Sequence, residues 1–569
     1  MKLRTSLCNP TALKKDITRF APSWVLYSVG LFLMLSIIFT GESDYSRASA
    51  LADSLVLMAM INIVYAFING QLLFGDLFST RNCNALHAMP LRRECWYGTH
   101  VIAGMLFSFV PNLVFAALMM PMLGTGILTA GYWLAGVTLQ YLFFFGLAVF
   151  SALCVGNRFA MVLVYSIINF FAMIIYWFYY SLYEPLLYGV QLDETLFLPF
   201  CPVVQMCRNY DLLQVQGQYT VSYYHRAVEQ IVLGEGWGYL AISAAIGVGL
   251  MALSLFLYRR RKLESAGDFM AVKVLEPVFL ILYTLCMAAL FQLISEMFGE
   301  MEFLFLLLGL AVGFFTGRML LMRTTRVFQP KGFLWFVIFV VAFAASMFIT
   351  SLDPLGITRY IPETQDVKRV TIADYNPSYA NNPYMSDPAD IDAVREMHQM
   401  ILDGKGEVNE AVRYTNVYIL YEMKDGITVK RNYTVAVTSE PGRIFGSFSG
   451  RADFILGTTD PAEIVDNLKY LYYSFEPQQV SGTVEQFQGQ YREQIYGLLE
   501  AIMADCREGH MNQQWDYREE DAVSVGWIDI EYTDAEGRHR SANITIFSDA
   551  VHTIEYMNQN PLPITEYYG

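Results

Sequence analysis

The sequence predicts a polytopic α-helical membrane protein of about nine transmembrane helices, followed by a C-terminal α+β extracytoplasmic domain. Three observations lead there. The 569 residues are 54% hydrophobic and only 16% charged, against roughly 25% charged in a soluble protein. Nine apolar stretches approach the ~20 residues that a helix needs to cross a bilayer. The composition then changes abruptly after Ser351. From Leu352 onward Asp and Glu outnumber Lys and Arg by 35 to 17, whereas the preceding part has 18 acidic and 21 basic residues.

Taken in order, the apolar stretches are Pro22–Thr40, Leu51–Gly75, Val101–Leu123, Ala130–Val155, Phe159–Tyr183, Trp237–Tyr258, Val274–Ser295, Phe303–Leu321 and Phe333–Ser351. The segment Glu184–Gly236 is mixed in character and rich in aromatics. The first six spans (1–262) form one block. A polar linker with three further spans (263–351) follows, and then the external part (352–569). Basic residues fix the orientation. With the N-terminus inside, Lys2–Arg19, Arg81–Arg93, Arg158, Arg259–Lys273 and Arg323–Lys331 all fall on the cytoplasmic side. Arg47, Arg208 and Arg226 are the basic residues left outside before Leu352. Nine spans then place Leu352–Gly569 outside. No cleavable leader is expected, because the polar start is too long for an n-region and no small-residue cleavage site follows the first span.

In the external part, Val367–Ile372 reads as a strand and Pro388–Leu402 as a helix, with Ile391, Val394, Met397 and Ile401 near helical spacing. Val417–Tyr421 and Ile427–Val437 read as a hairpin around Lys424-Asp425-Gly426. Helices are expected over Pro461–Phe475 and Tyr491–Ala504, and a second hairpin over Val525–Tyr532 and Ser541–Phe547. Helix then hairpin occurs twice, with Tyr418–Val437 resembling Ile528–Phe547. This suggests an internal duplication, although acidic-Gly hairpins are also common by chance.

The search for chemistry is mostly negative. The chain has no G-x-x-x-x-G-K-[ST] stretch, no H-E-x-x-H and no G-x-S-x-G. Its seven histidines make no metal-spaced pair, so no metal site and no catalytic residue is expected. Its acidic balance argues against nucleic acid. Among eight cysteines, Cys201 and Cys207 are the pair close enough in sequence to be a candidate disulfide; the plainer reading leaves both thiols free. Asn62, Asn69, Asn112, Gln140 and Asn169 are neutral polar residues within spans. They are candidates for lining a substrate path, but such residues more often bond neighbouring helices.

The best candidate is the polar stretch Asp76–His100 between the second and third spans, DLFSTRNCNALHAMPLRRECWYGTH. Its helix-compatible run extends from Ser79 to Met89 and is followed by Pro90. Leu86 and Met89, three apart, are expected to share a helix face that Leu91 extends. Ser79, Arg81, Asn84, His87, Arg92 and Arg93 supply polar contacts to headgroups or to an acidic partner. The alternative is an ordinary inner loop whose arginines only set topology.

Together with six spans around it, this loop resembles the cytoplasmic coupling loop of ABC-2-type exporter permeases. There a polar helix ends in a Leu-Pro-Leu/Ile-x-Arg-like turn, here Met89-Pro90-Leu91-Arg92-Arg93. The resemblance covers Met1–Tyr258. It implies a separate ABC ATP-binding subunit that carries ATP and Mg and docks on the loop, and a second permease subunit, the same chain or a relative, beside this one in the bilayer. The cofactors would belong to the partner and this chain would not itself be an enzyme. The substrate class implied is a drug, peptide or lipid-like compound. A charge at Leu86, Met89 or Leu91 is expected to uncouple transport. The three extra spans and external domain are similar to a subgroup of permeases with C-terminal extracytoplasmic domains. The rival reading is a membrane sensor or scaffold that presents 352–569 to a ligand without transport.

Overall fold

The computed structural model describes residues 8–40, 44–89, 91–123, 126–192, 197–208, 212–219, 226–234, 236–295, 297, 301–374, 384–404, 413–475, 478–481, 489, 491–512, 523–534 and 539–560. The chain divides into two compact units. One contains Met1–Ser181 and Glu194–Ser346; the other contains Leu182–Asp193 and Met347–Gly569.

The first unit is helical. A short helix α1 (Pro10–Arg19) starts on an Asn9 cap, whose Oδ1 accepts from the Thr11 and Ala12 amides. It precedes α2 (Ala21–Phe39) and α3 (Asp44–Leu73). Then come α4 (Thr80–His87), α5 (Arg93–Leu123), α6 (Ile127–Cys154) and α7 (Arg158–Phe178). The segment expected to be merely mixed holds a two-residue strand β1 (Val190–Gln191), a short helix α8 (Pro202–Arg208) and a hairpin of β2 (Leu213–Tyr219) and β3 (Arg226–Leu233). The last helices of the apolar part are α9 (Trp237–Arg260), α10 (Glu276–Ser295), α11 (Glu302–Met322) and α12 (Pro330–Ser351). Among the described residues, nine helices are long and apolar enough to cross a membrane. They coincide with the nine expected stretches to within a few residues, except that α3 starts seven residues earlier, at Asp44 rather than Leu51, and α5 eight residues earlier, at Arg93 rather than Val101.

α6 lies at the centre of this unit, with Trp133, Tyr141, Phe144 and Phe145 fully buried. It meets α9 backbone to backbone, and a Cβ placed on Gly146 would lie 2.2 Å from the Gly247 carbonyl oxygen. Only glycine permits that approach, which brings dispersion contacts and weak Cα–H bonds into play in place of side-chain knobs.

The second unit holds two small sheets. The first half runs β4 (Val367–Ala373), α13 (Pro388–Leu402), β5 (Tyr414–Met423), β6 (Thr428–Ala436) and α14 (Glu440–Ser449). Its sheet order is β1-β6-β5-β4, so the edge strand comes from the segment between α7 and α9. A short α15 (Ala452–Leu456) and α16 (Pro461–Asp466) lead into the second half. That half runs β7 (Leu468–Phe475), β8 (Gln478–Ser481), α17 (Arg492–Glu508), β9 (Ser524–Thr533), β10 (His539–Phe547) and α18 (Val551–Gln559), with order β10-β9-β7-β8.

Two expectations need correction here. The helix expected over Pro461–Phe475 stops at Asp466, and Leu468–Phe475 is a strand. Aromatics alternate there between buried and open positions from Leu471 on, and a pleated surface suits them better than a helix. The two hairpins also match at a different offset. Val417, Ile419 and Tyr421 face inward in β5, as do Ile528, Ile530 and Tyr532 in β9. The shift is therefore 111 residues rather than the 110 read from the sequence. Side chains in a strand alternate faces, so an error of one would turn every residue to the wrong side.

Candidate functional site

The loop between α3 and α5 opens with a 3₁₀ turn, Gly75–Phe78. Ser79 is extended and redirects the chain into α4, and Ala88 ends the helix. Arg81, Asn84 and Ala85 are exposed on α4, while Cys83 and Leu86 are buried. Leu86 closes over a void of about 10 Å³, room for about one water, lined also by Leu73, Phe74, Leu77, Tyr97 and Tyr258. Burial raises the Cys83 thiol pKa, and the nearby Arg261 and Arg93 charges partly offset that.

The expected apolar docking face is therefore split. Leu86 is 7% exposed and Met89 42%. The helix ends at His87, and Met89 lies past it, its amide donating to the Leu86 carbonyl at 3.4 Å. Leu91 is half-buried and packs against the core of the first unit. Ser79 and Arg92 are exposed. His87 belongs to α4 by its backbone. Pro90 lies outside the described residues.

Arg93 does not reach outward. Its Nη1 donates to the Arg259 carbonyl at 3.4 Å and the Arg261 carbonyl at 3.0 Å, at the end of α9. Arg259 forms an ion pair with Glu94 at 3.2 Å. Arg261, which sequence reasoning absorbed into a basic cluster, turns inward. Its Nη1 donates to the Ala152 and Leu153 carbonyls at 3.3 and 3.1 Å, and its Nη2 to the Leu77 carbonyl at 3.2 Å. Nearby, α1 is joined to α5 by Asp16 and His100, whose Oδ2 and Nδ1 are 2.9 Å apart and 7% exposed on both sides. Arg19 pairs with Asp76 at 3.3 Å. No regular spacing in the sequence marks Arg261 or the Asp16–His100 pair.

Four of the five polar residues within spans bond across helices, and the fifth, Asn169, bonds within its own helix. Asn62 donates to the Val137 carbonyl and to Gln140 Oε1, and Gln140 donates to the Leu55 carbonyl. Asn69 joins Ser23 to Tyr141. Asn112 accepts from Tyr27 and donates to Ser108. Asn169 donates back to the Tyr165 carbonyl. All five are at most 1% exposed. An apolar groove of about 240 Å³ does run between α2 and α5, beside Trp24, Leu31, Pro111 and Val114, and none of the five lines it. In this chain taken singly, these contacts favour helix bonding, the commoner of the two roles that the sequence leaves open for such residues.

Cys201 and Cys207 are both free thiols. Cys201 donates to the Asn169 carbonyl. Cys201 lies at the start of α8 and Cys207 near its end. Six residues of helix rise about 9 Å, beyond the span of roughly 7 Å that a disulfide tolerates.

No protein-family model, curated protein or solved structure matches this chain.

Proposed function

We propose that the chain is the membrane permease subunit of an ABC-2-type transporter, driven by a separate ATP-binding subunit that docks on the loop Gly75–Arg93. The observation that carries this reading is the two-sided construction of α4. Arg81, Asn84 and Ala85 face out on a helix whose other side is anchored by Cys83 and Leu86. A docking element needs both an accessible polar surface and a rigid seat, because a floppy loop would absorb the displacement it receives.

The pairing of β1 with β6 supports the nine-span arrangement. It requires the segment 182–193 and the C-terminal unit to lie on one side of the bilayer. Four long apolar helices, α9 to α12, separate them in the chain, and an even number returns it to the same side. Three more, α5 to α7, lie between α4 and β1. In this reading an odd number of spans leaves the loop on the other side of the bilayer, the side expected for an ATP-binding partner. In this reading a second permease subunit completes the path, since the buried amides of one subunit bond its own helices.

The sensor reading keeps one observation in its favour. Through β1 the C-terminal unit grips the connector between α7 and α9, a route by which an external event would reach the helices. Cross-linking separates the two. A photoreactive residue at Ala85 is expected to capture a nucleotide-binding protein in cells, and one at Leu86 is not; capture at neither position would leave the sensor reading. The same geometry changes the mutational expectation. Ala85→Asp or Met89→Asp should uncouple with the fold intact. Leu86→Asp should destabilise by about 3–5 kcal/mol, because it buries an unpaired charge.

A further inference from the structure

Arg261 is held entirely by backbone. Its three guanidinium bonds go to carbonyls from two places, the last turn of α6 and the 3₁₀ turn that feeds α4. Its own amide donates to the Tyr258 carbonyl, closing α9. Arg93, the first residue of α5, holds the end of α9 from the other side through the Arg259 and Arg261 carbonyls. Carbonyls at a helix end carry partial negative charge and lack partners of their own. A planar fork of five donors can satisfy several of them at once, whereas a lysine offers only a point charge. The other cations of the cluster are spent differently, with Arg259 on Glu94 and Arg260 over the Phe256 ring at 4.2 Å.

We propose that Arg261 and Arg93 are positioning residues that fuse the loop Gly75–Arg93 with the ends of α6 and α9 into one plate, so that the loop moves together with these two helices. This rests on the permease reading for its purpose, although the fusion itself does not. α6 and α9 are already locked in mid-length where Gly146 meets Gly247. A displacement delivered to α4 therefore passes through Leu77 and Arg261 to the pair as a whole. The fork is the step that side-chain packing alone does not supply, because Arg261 reaches both α6 and the loop from the end of α9.

The test uses the full chain in lipid nanodiscs, alone and with its ATP-binding subunit. In Arg261→Gln, amide exchange over residues 75–88 and in the last turn of α6 should rise about ten-fold, with Arg261→Lys intermediate. Exchange unchanged in Arg261→Gln overturns the proposal. If that variant fails to assemble, Arg93→Gln removes only the bonds to the α9 end and should show the same rise on a smaller scale; no rise there is equally contrary. The coupling claim is read from spin labels at the exposed Thr80 and Arg260 positions. Their separation should stay fixed on adding nucleotide to the complex and should change in Arg261→Lys. A separation that changes in the native complex contradicts a single plate. If the native chain brings down no ATP-binding subunit, the permease reading falls, and the exchange result decides the fusion by itself.

Discussion

The two halves of the C-terminal unit share a succession of strand, helix, hairpin and helix, yet their sheets are completed at opposite edges. The first adds β1 beside β6; the second adds β8 beside β7. The added strands also differ in origin, because β8 follows β7 directly while β1 comes from a segment more than 170 residues upstream of β4. Matched positions differ accordingly. Tyr433 in β6 corresponds to Ile544 in β10. The Tyr433 hydroxyl lies 2.8 Å from His398 Nε2 in a hydrogen bond, and its ring packs on Tyr188, next to β1, with ring centres 5.3 Å apart. Ile544 sits in the hydrophobic core of the second half. The polar specialisation of the second half is different: the buried Asp505 carboxylate accepts from the His552 and Thr553 amides and so caps α18. The first half thus holds a distant strand at its edge, and a buried histidine with two tyrosine partners sits beside that strand.

The largest effect that would break this comparison is removal of a core tyrosine. Tyr421→Ala and Tyr532→Ala each empty a fully buried matched position and should cost about 3–5 kcal/mol. Exchange protection should fall in the half carrying the change, and equal loss in both halves would show that they unfold as one. Acidification is next. Burial, with the Arg431 charge as a second cause, holds His398 down to about 3. Between the ordinary histidine value and that point, the unfolded chain binds a proton that the folded first half refuses. Stability of the first half is therefore lost as pH falls, by about 2–3 kcal/mol at pH 4.5. His552 in the second half is shifted the other way by its hydrogen bond with Glu508. Acid should thus weaken α13 before α17, and His398→Phe should abolish the difference. The smallest effect is the most local. Gly189 has φ +70°, and a Cβ there would overlap the Tyr433 ring. Gly189→Val should release β1 from β6 for about 1–3 kcal/mol, leaving β7–β10 protected; loss of both sheets would contradict the separate construction of the halves.

How much of this was legible follows from what each element depends on. The nine apolar helices were readable because crossing a bilayer demands length and apolarity, and both are local properties of the sequence. α13 was read to the residue because Asp387 caps it and Ile391, Val394, Met397 and Ile401 keep one face. β1 was invisible, since two residues carry no period and their partner lies about 240 positions downstream. The burial of Leu86 was not legible because spacing shows which residues share a face, not which way that face points. Arg261 was hidden among four consecutive cations, Arg259 to Lys262, and only the fold separates the one that turns inward.

The central claim is that α4 offers its outer face to an ATP-hydrolysing partner. It is tested most directly by purifying the full chain from its membrane in mild detergent and assaying ATP hydrolysis, beside an Ala85→Asp chain. The account predicts that an ATP-binding subunit and its activity come with the native chain and are lost from the variant, while both chains remain folded. A native chain that comes down alone and hydrolyses nothing would contradict it and turn the search for function to the C-terminal unit.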